Sequence, residues 1–403
     1  MLTEPIVSDV GFSSSAVTQE LRTIASWWKR HALDKHCGGF YGQVDNQALP
    51  VPDSFKGVVL NTRILWFFSE LAAQSRDSVD EATAYRAYDW LKTFFHDREY
   101  GGLFWALDSQ GVPLDDKKQV YAQCFGIYAL CSYFKLTRET EALEMARSLF
   151  DMVETNARDQ LNGGYIEACT RVWGNIEDYR LSDKDLNCPK SMNTHLHVLE
   201  AYTSLYTIAP DARVEEALEH VLEVFLDKIK GAGKCHLSLF FDIQWKSLSQ
   251  SVSFGHDIEA SWLLCEAADA LGQEVIKQKV NTAAIELAQA CYQKGLATAG
   301  YMLDEYEFHS GVFGQNSYWW VQAEALVGFV NAYQLTGQKH YLDVCLPIWK
   351  FLEDEHFDEG EWLWLARSQG GEQLHYKAGF WKGPYHNGRA MLELQKRLKR
   401  VGR

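Results

Sequence analysis

The sequence predicts an all-α chain, an (α/α)6 barrel of six helical-hairpin repeats with short β-hairpins between the helices. Three observations point there. A Gly-turn-and-aromatic segment recurs at a nearly constant interval. Twelve stretches with helical periodicity fall between these segments, in six pairs. One member of each pair is poor in charge and the other is amphipathic.

The recurring segments read as β-hairpins: a Gly turn, an alternating aromatic-rich run, then a polar turn. They are "HCGGFYGQVDNQALPV" from His36, "EYGGLFWALDSQGVPL" from Glu99, "LNGGYIEACTRVWGN" from Leu161 and "DEGEWLWLARSQGGEQL" from Asp358. Two weaker copies, from Lys234 and Ala299, fill the gap. Markers at Gly39, Gly102, Gly164, Lys234, Gly300 and Gly360 lie 63, 62, 70, 66 and 60 residues apart. Six units of that length account for the chain, as one catalytic domain over 1–403 with residues 1–12 a loose N-terminal segment.

The helical spans are 13–34, 55–74, 79–97, 117–136, 138–157, 190–208, 211–230, 254–271, 273–297, 315–336, 338–356 and 380–400. The second of each pair follows a hairpin and reads as buried nearly all round, as in "VYAQCFGIYALCSYF". The first, such as "VEEALEHVLEVFLDKI", keeps one polar face. Six inner helices ringed by six outer ones close into a barrel. An open solenoid of the same hairpins is the alternative, and six converging repeats favour closure.

Composition excludes several function classes. The formal net charge is −15, with no block of basic residues. Such a surface argues against nucleic acid and anionic membranes as partners. No stretch of 18 apolar residues occurs, and the start "MLTEPIVSDVGFSSS" lacks a basic region leading into an apolar run. The nine cysteines are scattered, odd in number and form no C-x-x-C pair. They read as reduced thiols of a cytoplasmic protein. P-loop and dinucleotide fingerprints are absent, so no cofactor is expected.

Polar residues interrupt the first turns of the inner helices, where burial is costly without partners. They include Asn61 and Arg63, Tyr121 and Gln123, Asn193, His195 and His197, His256 and Glu259. The last two helices add Trp319, Trp320, Gln322 and Glu324, then Trp381, His386, Asn387 and Arg389. Inner helices that enter from one end place these groups around one mouth, a funnel-shaped pocket. His197, His256 and His386 come from three different helices, which favours a shared site over three structural histidines. His256 and Glu259, at i and i+3, share a face, so the carboxylate could orient the imidazole. Arg63, amid "VVLNTRILWFF", needs an anionic or polar partner. Trp319 and Trp381 offer flat apolar surface to sugar C–H groups. His197, His256 and Glu259 could supply three metal ligands, but no H-E-x-x-H helix or cysteine pair supports this, and no metal is expected.

His195 and His197 cannot act together on a helix, because a two-residue step turns about 200°. Asn193, His197 and Glu200 share a face within about 60°, and His195 points away with Leu199 and Tyr202. This makes His197 the site residue and His195 a structural one.

The segments "GGFYGQVDNQALPVPDSFKGVVLNTRILWFFSEL", "KSMNTHLHVLEAY", "FGHDIEASWLL", "WWVQAEALVGF" and "FWKGPYHNGRAMLE" resemble cellobiose 2-epimerases, of the N-acylglucosamine 2-epimerase superfamily. The resemblance runs from about residue 15 to 400 with five motifs in order. It implies reversible, cofactor-free epimerisation at C2 of a reducing-end glucose. By motif position it implies that His256 and His386 are the acid–base pair and that Arg63 and His197 stabilise the enediolate. It further implies that Glu259 supports a catalytic histidine and that Trp319 and Trp381 contact sugar. Tyr121, Asp185 and Asn193 match further substrate-side positions. Gly383 departs from the pattern, where many relatives carry Cys, and puts substrate preference in question.

The residues suit that chemistry. The C2 proton of a sugar is acidic only beside an open C1 carbonyl. Removing it gives a planar enediolate, and its return to the other face inverts C2. Two imidazoles fit this task, and fixed cationic donors fit the developing charge. Three rivals stand beside it. A mannose 2-epimerase or aldose–ketose isomerase on free monosaccharides would use the same enediolate. A glycoside hydrolase or lyase would need two carboxylates across the pocket, from Asp185, Glu259 or Glu324. A non-catalytic sugar- or protein-binding barrel is the third. The expected partner is a small sugar, and the expected state a monomer or weak homodimer.

Overall fold

The computed structural model describes residues 12–373 and 375–401. Six inner helices form a closed ring: α2 (Val58–Ser75), α4 (Val120–Thr137), α6 (Met192–Ile208), α8 (Phe254–Leu271), α10 (Trp319–Thr336) and α13 (His386–Val401). Each packs on the next, and α13 returns to α2, so the barrel is closed rather than an open solenoid. The outer layer is α1 (Ser14–His31), α3 (Ser78–Trp90), α5 (Thr140–Asn156), α7 (Ala212–Val224), α9 (Glu274–Lys294), and α11 (His340–Asp343) with α12 (Cys345–Glu355). Helices α3 and α7 each end in a π-helical turn, Leu91–Phe95 and Phe225–Lys230.

The outer layer follows the amphipathic reading: α7 buries Val214, Ala217, Leu218, Val221 and Leu222 on one stripe, exposes Glu216 and Glu223, and leaves Glu215 and Glu219 half-buried. The inner helices bury nearly every position; α2 covers all but its ends. Three spans differ most from the sequence reading. The span 338–356 breaks at Val344, because Pro347 cannot donate a hydrogen bond to the Asp343 carbonyl and so fits only a fresh first turn. The span 380–400 starts at His386: Pro384 disfavours helix at the residue before it, and Ala378 pairs with Val44 instead. The span 315–336 starts at Trp319, since Tyr318 pairs with Leu365. Phe12 is also not loose. It is buried, with its ring 5.6 Å from that of Trp349, while residues 1–11 of the expected loose segment lie outside the described residues.

The hairpins do more than turn the chain. The residues entering each inner helix pair antiparallel with the hairpin of the following repeat. Lys56 pairs with Leu107, Lys118 with Cys169, Lys190 with Phe241, Val252 with Tyr306 and Tyr318 with Leu365. Ala378 with Val44 joins the last repeat to the first. The mouth of the barrel is therefore rimmed by a closed ring of strand pairs.

A buried lysine locks three of these junctions. Lys56, Lys118 and Lys190 reach Asp34, Asp97 and Asp159 at 2.8, 2.9 and 2.7 Å. The other oxygen of each aspartate accepts two backbone N–H groups of the Gly turn, at 36 and 37, 99 and 100, and 161 and 162. One carboxylate so fixes a turn and neutralises a buried ammonium, the pairing that burial of a charge requires.

Among the described residues no helix is long and apolar enough to cross a membrane. The nine cysteines are free thiols, seven of them buried.

Candidate active site

Five inner helices start in register, so equal positions lie at equal depth. The sixth residues are Arg63, Phe125, His197, Glu259 and Glu324. The fourth residues of four helices share another task. Gln123, His195, Asp257 and Gln322 accept the backbone N–H of Leu103, Tyr165, Leu237 and Met302. His195 thus ties α6 to its hairpin, with Nδ1 2.6 Å from the Ser191 carbonyl oxygen and Nε2 taking the Tyr165 N–H at 2.9 Å. It faces away from the pocket. Gly164 leaves it that space, since a Cβ there would lie 2.7 Å from the imidazole, at a backbone φ of +73°.

A cavity of about 440 Å³ opens at the mouth, within the roughly 300–1,000 Å³ of small-molecule sites. Arg63, Tyr121, Asn193, His197, His256, Glu259, Trp319, Trp381 and His386 line it. So do Trp320, Trp364 and the rim residues Ser182, Asp183 and Lys184. The Trp320 ring lies between two histidines, 4.8 Å from His256 and 5.5 Å from His386.

Each site imidazole is held at Nδ1. His386 meets Glu324 Oε1 at 2.7 Å, His197 meets Glu200 Oε2 at 3.0 Å, and His256 meets Ser253 Oγ at 2.8 Å. A carboxylate only accepts, so His386 and His197 carry their proton on Nδ1 and present a lone pair at Nε2. A hydroxyl can accept or donate, so His256 can present either a lone pair or a proton. Burial holds all three imidazoles below their ordinary range, His256 at about 4 and His386 well below it, which makes them neutral bases near neutrality.

Beneath them lies a charge cluster. Arg389 donates to Glu200, Glu259, Glu324 and the Tyr385 hydroxyl oxygen. Tyr385 donates to Glu200 at 2.6 Å, and Trp262 Nε1 donates to Glu324 at 3.0 Å. Burial alone would raise the Glu200 carboxyl, but Arg389, His197 and Tyr385 bring it to about 2. Glu259 goes the other way, raised by burial and by the adjacent Glu324 charge.

Arg63 stands apart. Its guanidinium donates to the Trp381 carbonyl at 2.6 Å and the Tyr121 hydroxyl at 2.9 Å, over the faces of Phe125 and Tyr385. It meets no carboxylate among the described residues, and its buried Nε has no partner there. The buried Trp319 Nε1 is likewise unpartnered. A buried cation without an anion, beside a cavity, is a ready site for developing negative charge.

Three expectations change. Glu259 does not touch His256: its carboxylate goes to Arg389, and the group that orients His256 is Ser253. The carboxylate on a site histidine's Nδ1 at His386 is Glu324. Asp185 does not line the cavity; it turns back to accept Ser182 N and Oγ at 2.8 and 2.9 Å, leaving residues 182–184 at the rim. Trp381 precedes α13 instead of lying on a helix.

A model of the N-acylglucosamine 2-epimerase (GlcNAc 2-epimerase) family matches residues 39–390. The chain belongs to this family. A cellobiose 2-epimerase of Bacteroides fragilis is 42% identical over 380 residues, 93% of this chain and 97% of that one. The solved structure of a cellobiose 2-epimerase from Bacillus thermoamylovorans superposes with a TM-score of 0.91 at 35% identity, over 95% of this chain and 99% of the other. A D-mannose isomerase structure shares the fold, with a TM-score of 0.83 at 19% identity over 98% of this chain and all of that one.

Within this family member, the sequence reading missed the charge cluster. Glu200, Tyr385 and Arg389 carry the histidines, and Trp364 adds a wall. The available signal was four charged residues, Glu200, Glu259, Glu324 and Arg389, buried in apolar inner helices. A metal site is not offered by the ligands considered from sequence. Glu259, Glu324 and His386 are the group among the described residues whose ligand atoms fall within 4.8 Å, and Arg389 already donates to both of its carboxylates.

Proposed function

We propose that this protein inverts C2 of the reducing-end glucose of cellobiose and related β-1,4-linked disaccharides, giving the mannose configuration. One observation carries the reading: two separately supported imidazoles share a cavity with a buried arginine that has no carboxylate partner among the described residues. Cellobiose 2-epimerases at 35–42% identity over most of the chain support it.

The steps follow from the groups. The histidine pair carries one proton taken up from solvent: His386, entering as the imidazolium, gives it to the ring oxygen while His256 takes the O1 proton at Nε2, opening the ring to the aldehyde. His386, now neutral and held by Glu324 at Nδ1, removes the C2 proton. The charge develops on O1 beside the Arg63 guanidinium, and His197 accepts from the O2 hydroxyl at Nε2, so that the two together stabilise the cis-enediolate. His256, the imidazolium formed on ring opening with its Nδ1–H on Ser253 Oγ, returns its Nε2 proton to the opposite face of C2. The ring then closes on the epimer. The reverse reaction uses the same two groups with roles exchanged.

The rim of Trp364 and residues 182–184 supports a second sugar ring. A hydrolase reading lacks its pair of acids: Asp183 and Glu259 are the cavity's carboxylates, and Glu259 is engaged by Arg389. Free-mannose epimerases and isomerases share the enediolate, and isomerases return the proton to C1. The deciding experiment offers cellobiose, lactose, mannose and glucose in deuterated water. Epimerised disaccharide with deuterium at C2 is expected. Unlabelled epimer would overturn the enediolate route, and turnover of monosaccharides alone would overturn the substrate assignment.

A further inference from the structure

His256 and His386 stand on two helices of the ring with one helix between them. His256 is the third residue of α8 and His386 the first of α13, and α10 packs against both. Trp320, the second residue of α10, fills the wall between the two imidazoles. Its ring centroid lies 4.8 Å from that of His256 and 5.5 Å from that of His386, and all three side chains line the cavity. Helix α8 leaves room for the indole at Gly255, where a Cβ would lie 2.5 Å from the Trp320 ring.

The hydrogen bonds stop at the same wall. His386 is joined through Glu324 to Arg389, which reaches Glu259 and Glu200, and Glu200 holds His197. His256 stands outside this network. Its Nδ1 meets Ser253 Oγ at 2.8 Å, and the other contact of that hydroxyl among the described residues is the backbone N–H of His256 itself. No chain of hydrogen bonds among the described residues therefore leads from one imidazole to the other. An indole has a single donor and no acceptor, so it passes no proton across the gap. Water in its place would do so, and excluding water from a reacting site is what prevents such proton leakage.

We infer that Trp320 is a positioning residue that insulates the two imidazoles, so that the proton taken from C2 and the proton given to C2 do not mix. The inference rests on the proposed function. In that reaction the C2–H bond breaks toward His386, its electron pair enters the C1–C2 bond, and charge develops on O1. The new C2–H bond forms with the Nε2 proton of His256 on the other face, and His256 becomes neutral. The proton removed stays on His386 behind the indole. An enediolate that reverts to the starting sugar therefore takes back the hydrogen it lost, and only the inverted product carries hydrogen from solvent.

The test runs cellobiose in deuterated water to low conversion with the wild type, Trp320→Ala and Trp320→Leu. It reads the ratio of recovered cellobiose deuterated at C2 to epimer deuterated at C2. Both quantities come from the same active molecules, so a variant that is merely slower or less stable leaves the ratio where it was. The wild-type ratio should lie well below one. With the wall opened, both imidazoles exchange with water, and an enediolate that meets an acid on either face reverts or inverts about equally, so the ratio should rise toward about one in Trp320→Ala. Trp320→Leu keeps an apolar side chain too short to reach Gly255, and should raise the ratio even if the alanine variant does not fold. A wild-type ratio already near one overturns the inference, as does a ratio unmoved in the variants that fold. A raised KM with an unmoved ratio assigns the indole to sugar contact alone and also overturns it. If the wild type forms no deuterated epimer, the functional reading fails and the inference falls with it, an outcome visible before any substitution is made.

Discussion

Glu324 holds His386 by a 2.7 Å contact to Nδ1, and the same carboxylate oxygen also accepts from Arg389. The pair fixes the tautomer of one site imidazole and ties it to the buried charge cluster. Glu324→Gln keeps the size and removes the charge. Turnover should fall by roughly 10²- to 10⁴-fold, the range of a lost acid–base contribution, with KM changed little. Steady-state kinetics and a native circular dichroism spectrum check this. Wild-type turnover would remove Glu324 from the mechanism.

Arg63 is predicted to act through its fork and not its charge alone, because Nη1 and Nη2 are directed by the Trp381 carbonyl and the Tyr121 hydroxyl. Arg63→Lys keeps the cation and loses the geometry. A loss of about 10²- to 10³-fold in kcat is expected, as for removal of one oxyanion donor. A change confined to KM would mean that Arg63 binds ground-state sugar only.

His256→Ala and His386→Ala should each lose about a thousandfold or more in turnover while folding normally. His197→Asn should also abolish activity. Retained turnover in either alanine variant, measured on cellobiose, would overturn the two-base assignment.

His195 separates structure from chemistry. Its counterparts in α4 and α10 are Gln123 and Gln322, which hold the same backbone N–H. His195→Gln should keep activity within about twofold, while His195→Ala should cost about 1–3 kcal/mol by stranding the Tyr165 N–H. The pH sign follows from burial. Burial lowers His195 from 6.5 to about 3, so the unfolded chain binds the proton first. Stability is full above about 6.5 and is lost as pH falls toward 3. Denaturant midpoints at pH 8, 6 and 5 should decline in the wild type and decline less in His195→Gln.

The buried Lys190–Asp159 pair gives a stability test far from the chemistry. Lys190→Met strands a carboxylate that also holds a Gly turn, at a cost of about 3–5 kcal/mol. A clear drop in the guanidinium midpoint is expected.

Much of the barrel was legible because Gly turns and charge-poor helices repeat. The Gly39, Gly102 and Gly164 segments are the hairpins, and the paired helices form the two layers. What periodicity could not give was register. Pro347 and Pro384 shift helix starts by several residues, and the pairing of Tyr318 with Leu365 withholds residues 315–318 from helix. The site was partly legible, since a histidine or arginine in an apolar run stands out alone. The Glu200–Arg389–Tyr385 cluster was not, because Glu200 lies 185 residues before Tyr385 and meets it only when the ring of helices has formed. The i, i+3 spacing of His256 and Glu259 misled because Ser253, the helix cap, is nearer to the imidazole.

The ring of strand pairs has a consequence for how the chain comes apart. In a linear stack the terminal repeats have one neighbour and fray first. Here the Val44–Ala378 bridge gives the first and last repeats a neighbour on both sides, and α1 lies against α13. No repeat is terminal. The three cavity histidines, drawn from three different repeats, therefore stay aligned until the whole circle opens.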